Sequence, residues 1–86
     1  MASYSILLTR SAARELERVP AKDRQRIVTR IGALAHDPRA AGAEKLSGDD
    51  KYRIRQGDYR ILYEIVDAEL IVTVVRVGNR REVYRR

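Results

Sequence analysis

Residues 51–66, KYRIRQGDYRILYEIV, decide the fold of this chain. Lys51, Arg53 and Arg55 alternate with apolar residues, which is the period-two pattern of a half-buried strand. Residues 56–58 (QGD) have the chemistry of a tight turn, and a second alternating run follows them. The stretch therefore predicts a β-hairpin with one apolar face and one face that carries arginines.

The arginine face of this hairpin predicts a binding site for a polyanion. Arg60 in the second strand joins Arg53 and Arg55, and three guanidinium groups on adjacent strands repel one another unless an anion lies between them. The net charge of +6 also favours a negatively charged partner, most directly a nucleic acid. The residues leave open a second interpretation, a solvated face neutralised by carboxylates of the chain itself. The carboxylates available are Asp49, Asp50, Asp58, Glu64 and Glu82.

The first half of the chain predicts a strand followed by two helices. Residues 4–8 (YSILL) form a short apolar run typical of a strand, and Thr9 or Ser11 can cap the helix that follows. Pro20 ends the first helix and suits the start of a second one, which we expect over residues 21–35. The two helices should pack as an αα-hairpin.

The second half predicts the remainder of a sheet. Residues 39–50 indicate a loop with a brief extended piece at residues 45–46. The run LIVTVVRV at residues 70–77 is typical of a strand buried on both sides or nearly so, and residues 78–79 predict a turn. Because a helical crossover separates it from this run, the N-terminal strand can pair parallel to it. We therefore expect one α+β domain over residues 1–86, in the order β-α-α-β-β-β, with a mostly antiparallel four-stranded sheet and the αα-hairpin on one face.

Composition excludes several classes of chemistry. With no cysteine and one histidine, His36 at a predicted helix end, the sequence predicts no metal site and no cofactor. A glycine-rich phosphate loop before a helix is absent. The sequence predicts no signal peptide and no membrane span, and the lack of cysteine is compatible with a cytoplasmic protein.

The remaining reactive groups are arginines and tyrosines. They are Arg53, Arg55, Arg60, Arg80, Arg81 and Tyr84. Arginine binds phosphate through two parallel hydrogen bonds and can stabilise a pentacoordinate phosphorane without a metal. The matching reaction is attack of an RNA 2′-OH on the adjacent phosphate. Arginine is too basic to accept that proton, whereas Tyr84 could do so if nearby guanidinium groups lowered its pKa from about 10.

Two segments, YRIR followed by GDYRILYE, and VGNRREVY near the end, resemble the RelE/ParE toxin superfamily of toxin–antitoxin modules. The resemblance covers essentially the whole chain and implies the RelE-like fold. The ending is more similar to the RelE branch, whose members are ribosome-dependent mRNA endonucleases. The resemblance therefore implies a toxin that cleaves codons in the ribosomal A site and is neutralised by a cognate antitoxin in a hetero-oligomer.

The resemblance also implies roles for individual residues. Arg60 matches the arginine that contacts the scissile phosphate, Arg80 the one that supports the transition state, and Tyr84 the tyrosine that orients or activates the 2′-OH. Arg53 and Arg55 fall where well-studied members have lysines, and an arginine can only stabilise charge there. A role in binding RNA and the ribosome falls on Lys51, Arg81, Arg85 and Arg86.

Two other functions fit the same resemblance. The ParE branch poisons DNA gyrase and has no RNase activity. The replacement of both lysines by arginine also fits a RelE-like protein that has lost catalysis and acts by binding. Arg76, outside these motifs, is expected to brace the sheet through an acidic neighbour rather than extend the basic face.

Overall fold

A computed structural model describes residues 3–46 and 50–79. Within these ranges, the elements in chain order are β1 (Ser5–Leu8), α1 (Arg10–Glu17), α2 (Ala21–Ala33), β2 (Glu44–Lys45), β3 (Lys51–Gln56), β4 (Tyr59–Val66), a 3₁₀ turn (Asp67–Glu69) and β5 (Ile71–Asn79). The predicted α+β class, the αα-hairpin and the order of the main elements are confirmed.

In the described part of the chain, one sheet contains five strands in the order β1-β5-β4-β3-β2. β1 pairs parallel to β5, as predicted, and the other neighbours are antiparallel. The fifth strand arises because Glu44 pairs with Arg53 and Lys45 with Tyr52. The extended piece expected at residues 45–46 thus begins one residue earlier and adds an edge strand to the predicted four.

The core lies between the two helices and one face of the sheet. The predicted apolar face of the hairpin is confirmed, because alternate residues of β3 and β4 are buried while most of their neighbours are not. Burying these side chains supplies the main favourable free energy of folding. The buried apolar residues are Ala12, Val19, Ile27, Ile31, Leu34, Tyr52, Ile54, Ile61, Tyr63, Ile65, Val72, Val74 and Val77.

The last strand differs from its prediction in two ways. Only one face of β5 is buried, since Val72, Val74 and Val77 join the core while the residues between them are half-buried. The expectation of burial on both faces, or nearly so, therefore holds fully for one face and only in part for the other, because α1 and α2 pack on the same side of the sheet. The turn expected at residues 78–79 is wrong: Gly78 pairs with Arg60 and Asn79 with Tyr59, so the strand runs on to Asn79.

Backbone geometry marks the helix end and the turn that precede the strands. α2 ends at Ala33, two residues earlier than expected, because the N–H groups of Leu34 and Ala35 bond to carbonyls three residues back. Leu70, after the 3₁₀ turn, has a φ of 54°, a left-handed conformation that is uncommon for a branched residue. Gly57 in the hairpin turn has a φ of 60°, which glycine adopts without steric cost.

Candidate functional site

The predicted arginines meet at the end of the hairpin next to its turn. Arg55 of β3 pairs directly with Arg60 of β4, and Arg53 pairs with Leu62 one step further along. Directly opposed residues of an antiparallel pair have Cβ atoms about 4.5–5.5 Å apart on one face of the sheet. We call Arg53, Arg55 and Arg60 the arginine corner.

Arg60 is the buried member of the arginine corner. It is 6% exposed and is the one buried charged residue in the part of the chain that the structure describes. On the β5 side it pairs with Gly78, which has no side chain. Glycine in a strand often marks a place where a ligand or another backbone approaches closely. Arg60 is therefore flanked by Arg55 on one strand and by bare backbone on the other.

A carboxylate that the sequence did not single out lies beside the arginine corner. Glu44 of β2 pairs with Arg53, with the Arg53 guanidinium nitrogen 2.7 Å from the Glu44 carboxylate oxygen. The hydrogen bond and charge of Arg53 hold the pKa of Glu44 below its usual range, with smaller contributions from Arg55 and Arg60. The sequence offers only the charged pair Glu44–Lys45 before Leu46 as a sign of this strand. A strand of two residues is too short to show the alternation by which strands are identified.

Lys51 lies apart from the arginine corner, at the start of β3. It pairs with Glu64 and is exposed, and it lies two residues before Arg53 on the same face of the strand. Residues two apart on a strand are separated by about 7 Å. Lys51 can therefore extend the positive surface along the strand.

The other predicted site residues lie outside the described residues. They are Arg80, Arg81, Tyr84, Arg85 and Arg86. The last described residue, Asn79, pairs with Tyr59 next to the arginine corner. The chain therefore leaves β5 at the end of the sheet where Arg55 and Arg60 lie.

A second polar cluster lies at the opposite end of β4. Arg39 donates two hydrogen bonds to Asp67, at 3.1 and 2.8 Å, and a third to the Tyr52 hydroxyl at 3.0 Å. The Tyr4 hydroxyl donates to the same carboxylate at 2.6 Å. Arg39 and then Tyr4 lower the pKa of Asp67 to about 2. We assign this cluster a structural role, because it joins the loop after α2 to the turn after β4.

Tyr63 connects the same loop to the core. Its ring stacks on Tyr52 at 5.8 Å between centroids, and its buried hydroxyl donates to the Pro38 carbonyl at 2.7 Å. Burial raises the pKa of Tyr63 to about 12. The phenol is therefore neutral and serves as a hydrogen-bond donor.

Arg76 braces the sheet, as expected. Its Nε lies 3.2 and 3.0 Å from the two carboxylate oxygens of Glu15 on α1, and its terminal nitrogen lies 3.0 Å from one of them. Two pairs of arginines therefore differ in their surroundings. Arg39 and Arg76 form ion pairs remote from the hairpin turn, whereas Arg55 and Arg60 oppose each other beside it.

Neither a metal site nor a membrane-crossing helix is found among residues 3–46 and 50–79. No three histidine, aspartate or glutamate side chains there come together as ligands for a metal ion. No helix in those ranges has the length and apolar character needed to cross a bilayer. His36 is exposed just after α2, consistent with the surface position expected for it.

Sequence comparison finds relatives over nearly the full chain. The profile of a family described as ParE toxin of type II toxin–antitoxin system, parDE, matches residues 6–84. Toxin RelG of Mycobacterium tuberculosis is 32% identical over 87 residues, covering 96% of this chain and 98% of that protein. The mRNA interferase toxin RelE of Escherichia coli strain K12 is 30% identical over 87 residues, covering 95% and 90%.

Solved structures share the fold. The toxin–antitoxin complex RelBE2 from Mycobacterium tuberculosis contains a chain that aligns with a TM-score of 0.81 and 28% identity, over 92% of this chain and all (100%) of that chain. The isolated Escherichia coli RelE toxin aligns with a TM-score of 0.80 and 24% identity, over 96% and 92%.

Proposed function

This chain belongs to the RelE/ParE superfamily of type II toxin–antitoxin toxins, and from that premise we propose that it is a ribosome-dependent mRNA endonuclease. The family membership confirms the resemblance predicted from the hairpin and the C-terminal motif. The endonuclease activity is supported at the level of the family, since relatives at about 30% identity are named mRNA interferases.

One observation carries the proposal: Arg55 and Arg60 are directly paired, and Arg60 is 6% exposed. A partly desolvated guanidinium interacts with a phosphate more strongly than one in bulk water does. The hairpin also holds the two groups on paired strands, so little reorganisation is needed when charge develops on the phosphate.

The proposed reaction is an internal transesterification of RNA. The 2′-oxygen attacks the adjacent phosphorus, the bond from phosphorus to the 5′-oxygen breaks, and the products are a 2′,3′-cyclic phosphate and a 5′-hydroxyl. One proton leaves the 2′-OH and one reaches the departing 5′-oxygen. Arg60, Arg55 and Arg53 stabilise the negative charge on the phosphorane, together with Arg80.

Two residues are proposed as acceptors of the 2′-OH proton. Tyr84 has this role by resemblance to the family. Glu44 is the carboxylate that the fold adds beside Arg53, and its lowered pKa keeps it ionised at neutral pH. A base with a low pKa is weak, so close positioning must compensate for its low proton affinity.

The ribosome supplies the positioning that this small domain lacks. In-line attack requires the 2′-oxygen, the phosphorus and the 5′-oxygen to lie on one line, which free RNA adopts rarely. A ribosome that holds the RNA in this conformation can supply a large part of the rate enhancement. We propose Lys51, Arg81, Arg85 and Arg86 as contacts to mRNA or ribosomal RNA in the cytoplasm. We further propose that a cognate antitoxin binds this toxin in a hetero-oligomer, as the solved complexes of its structural relatives suggest.

Primer extension on a defined mRNA tests the function, with purified protein and with or without programmed 70S ribosomes. We expect cuts within A-site codons that require ribosomes and are strongly reduced in Arg60→Ala. Comparison of Tyr84→Phe with Glu44→Gln then identifies the proton acceptor. If the wild-type protein makes no cuts under either condition, the endonuclease proposal is wrong.

A second function is favoured by the match of residues 6–84 to the ParE toxin profile. A ParE-like toxin would inhibit DNA gyrase without cleaving RNA. A supercoiling assay with purified gyrase separates the two functions. Inhibition of supercoiling by a chain that does not cut ribosome-bound mRNA would establish the gyrase target, and a negative result in both assays would leave a non-catalytic binding protein.

A further inference from the structure

The last strand extends beyond the strand that flanks it. β1 ends at Leu8, which pairs with Val74, whereas β5 continues to Asn79. From this point the start of α1 replaces the missing strand. The Thr9 N–H donates to the Val74 carbonyl at 3.0 Å, and the Thr9 hydroxyl donates to the Val75 carbonyl at 3.3 Å.

Glu15 completes this replacement. Its carboxylate oxygen accepts the Val77 N–H at 2.9 Å, and Arg76 holds both oxygens through the contacts of 3.0–3.2 Å already described. The side chains of Glu15 and Arg76 are about three-quarters buried, with 24% and 22% exposed. A side chain thus takes the acceptor role that a neighbouring strand would have played in the ladder.

The segment that Glu15 holds follows an irregularity in the sheet. Leu62 pairs with Arg76 and Tyr63 with Val74, so Val75 is an extra residue with no partner in this register. A bulge of this kind re-aims the strand that follows it. A slip of one residue would move every following side chain to the other face of the sheet.

The residues after the bulge pair with the part of β4 that carries Arg60. Gly78 pairs with Arg60 and Asn79 with Tyr59, and the next residue in the chain is Arg80. The register of residues 76–79 therefore sets where the last described residue, Asn79, lies relative to Arg60.

We propose that Glu15 is a positioning residue for the proposed cleavage site. It fixes the register of residues 76–79 after the bulge through the Val77 N–H and through Arg76. This role rests on the proposed endonuclease function, but the hydrogen bond on which it depends can be measured without any activity. Glu15 need not touch RNA, since it acts through the strand.

Three variants test the role. Glu15→Ala removes both contacts, Glu15→Gln keeps an oxygen that can accept the Val77 N–H, and Arg76→Met leaves the Glu15 carboxylate without its cation. Glu17→Ala, an exposed carboxylate on the same helix, is the matched control.

The first readout is the exchange rate of the Val77 amide by NMR. We expect slow exchange in the wild type, in Glu15→Gln and in Glu17→Ala, and exchange at least tenfold faster in Glu15→Ala. An unchanged rate in a folded Glu15→Ala variant would overturn the proposal, because the carboxylate would not be holding the strand.

The second readout is cleavage on programmed ribosomes, separated into kcat and KM. We expect Glu15→Ala to lower kcat by roughly 10- to 100-fold with little change in KM, because small misplacements of catalytic groups have effects of this size. Glu15→Gln should recover most of the loss, and kcat across the variants should follow the protection of Val77. If Glu15 served only stability, its removal would lower the fraction of folded protein and leave kcat per folded molecule unchanged. A Glu15→Ala variant with fast Val77 exchange and wild-type kcat would therefore overturn the proposal.

The two proposals can fail separately. If the wild type does not cleave mRNA, the proposed function is wrong, and the Val77 exchange still shows whether Glu15 holds the strand. If Glu15→Ala does not fold, Glu15→Gln and Arg76→Met decide, and kcat values unrelated to Val77 protection contradict the positioning role.

Discussion

Arg55 and Arg60 oppose each other as directly paired residues of β3 and β4, immediately before and after the hairpin turn. Two like charges in this position destabilise an isolated hairpin. Gly78 lies beside Arg60 on the next strand, and Arg60 is the one buried charged residue in the described part of the chain, which is why we propose that this pair of arginines binds an anion.

Removal of Arg60 should abolish most of the cleavage. We expect Arg60→Ala to lower kcat on programmed ribosomes by about 10²–10³-fold, the loss typical of one preorganised group that stabilises transition-state charge. Arg60→Lys should retain part of the activity because it keeps the charge but not the two parallel hydrogen bonds. Arg18→Ala, at an exposed position at the end of α1, is the control for the change in net charge. Equal activities of Arg60→Ala and Arg18→Ala would place the cleavage site elsewhere.

Removal of Glu44 should strengthen the binding of RNA. Glu44 is ion-paired with Arg53, and in the proposed site it would compete with an RNA phosphate for the same guanidinium. We expect Glu44→Ala to bind single-stranded RNA more tightly than wild type and to steepen the plot of log Kd against log salt concentration by about 0.7, the value for one additional phosphate contact. Glu69→Ala, exposed in the 3₁₀ turn, matches the change in charge. The same slope in both variants would mean that Arg53 does not meet the RNA backbone.

Removal of the Tyr63 hydroxyl should destabilise the fold. The hydroxyl is buried and donates to the Pro38 carbonyl at 2.7 Å, so Tyr63→Phe leaves a carbonyl without that partner. We expect a loss of about 1–3 kcal/mol in the free energy of unfolding, measured by urea denaturation. Tyr52→Phe, whose hydroxyl accepts a part-buried bond from Arg39, should lose less. The reverse order would show that the loop at Pro38 contributes little to stability.

The ion pair between Arg39 and Asp67 should make stability depend on acid pH. The pKa of Asp67 is about 2 in the folded protein against 3.8 for a free carboxyl, so its contribution is present above pH 4 and lost as the pH falls from about 4 to 2. Asp67→Asn should lower Tm at pH 7, and its deficit relative to wild type should shrink across that interval. Added salt should also reduce the deficit, because both side chains are about half exposed. A deficit that stays constant from pH 7 to 2 would assign it to packing rather than to charge.

Local patterns of residues determined much of this fold. Alternation in residues 51–66 placed the hairpin and assigned its two faces, because a strand repeats every two residues. Helical spacing and Pro20 placed the two helices, and the helical crossover explained the parallel pairing of β1 with β5. The arginine corner followed from the same alternation, because a short turn at Gly57 places Arg55 of β3 opposite Arg60 of β4.

Tertiary packing decided what depends on residues distant in sequence. The ion pair of Glu44 with Arg53 requires β2 to lie at the edge of the sheet, and that of Glu15 with Arg76 requires α1 to continue the edge that β1 leaves. The extra residue at Val75 and the continuation of β5 to Asn79 could not be predicted from the sequence, because the apolar run of β5 is compatible with several registers against β4. A run of residues fixes its own conformation through local sterics and periodicity, whereas register and carboxylate partners depend on the summed packing and hydrogen bonding of the whole sheet.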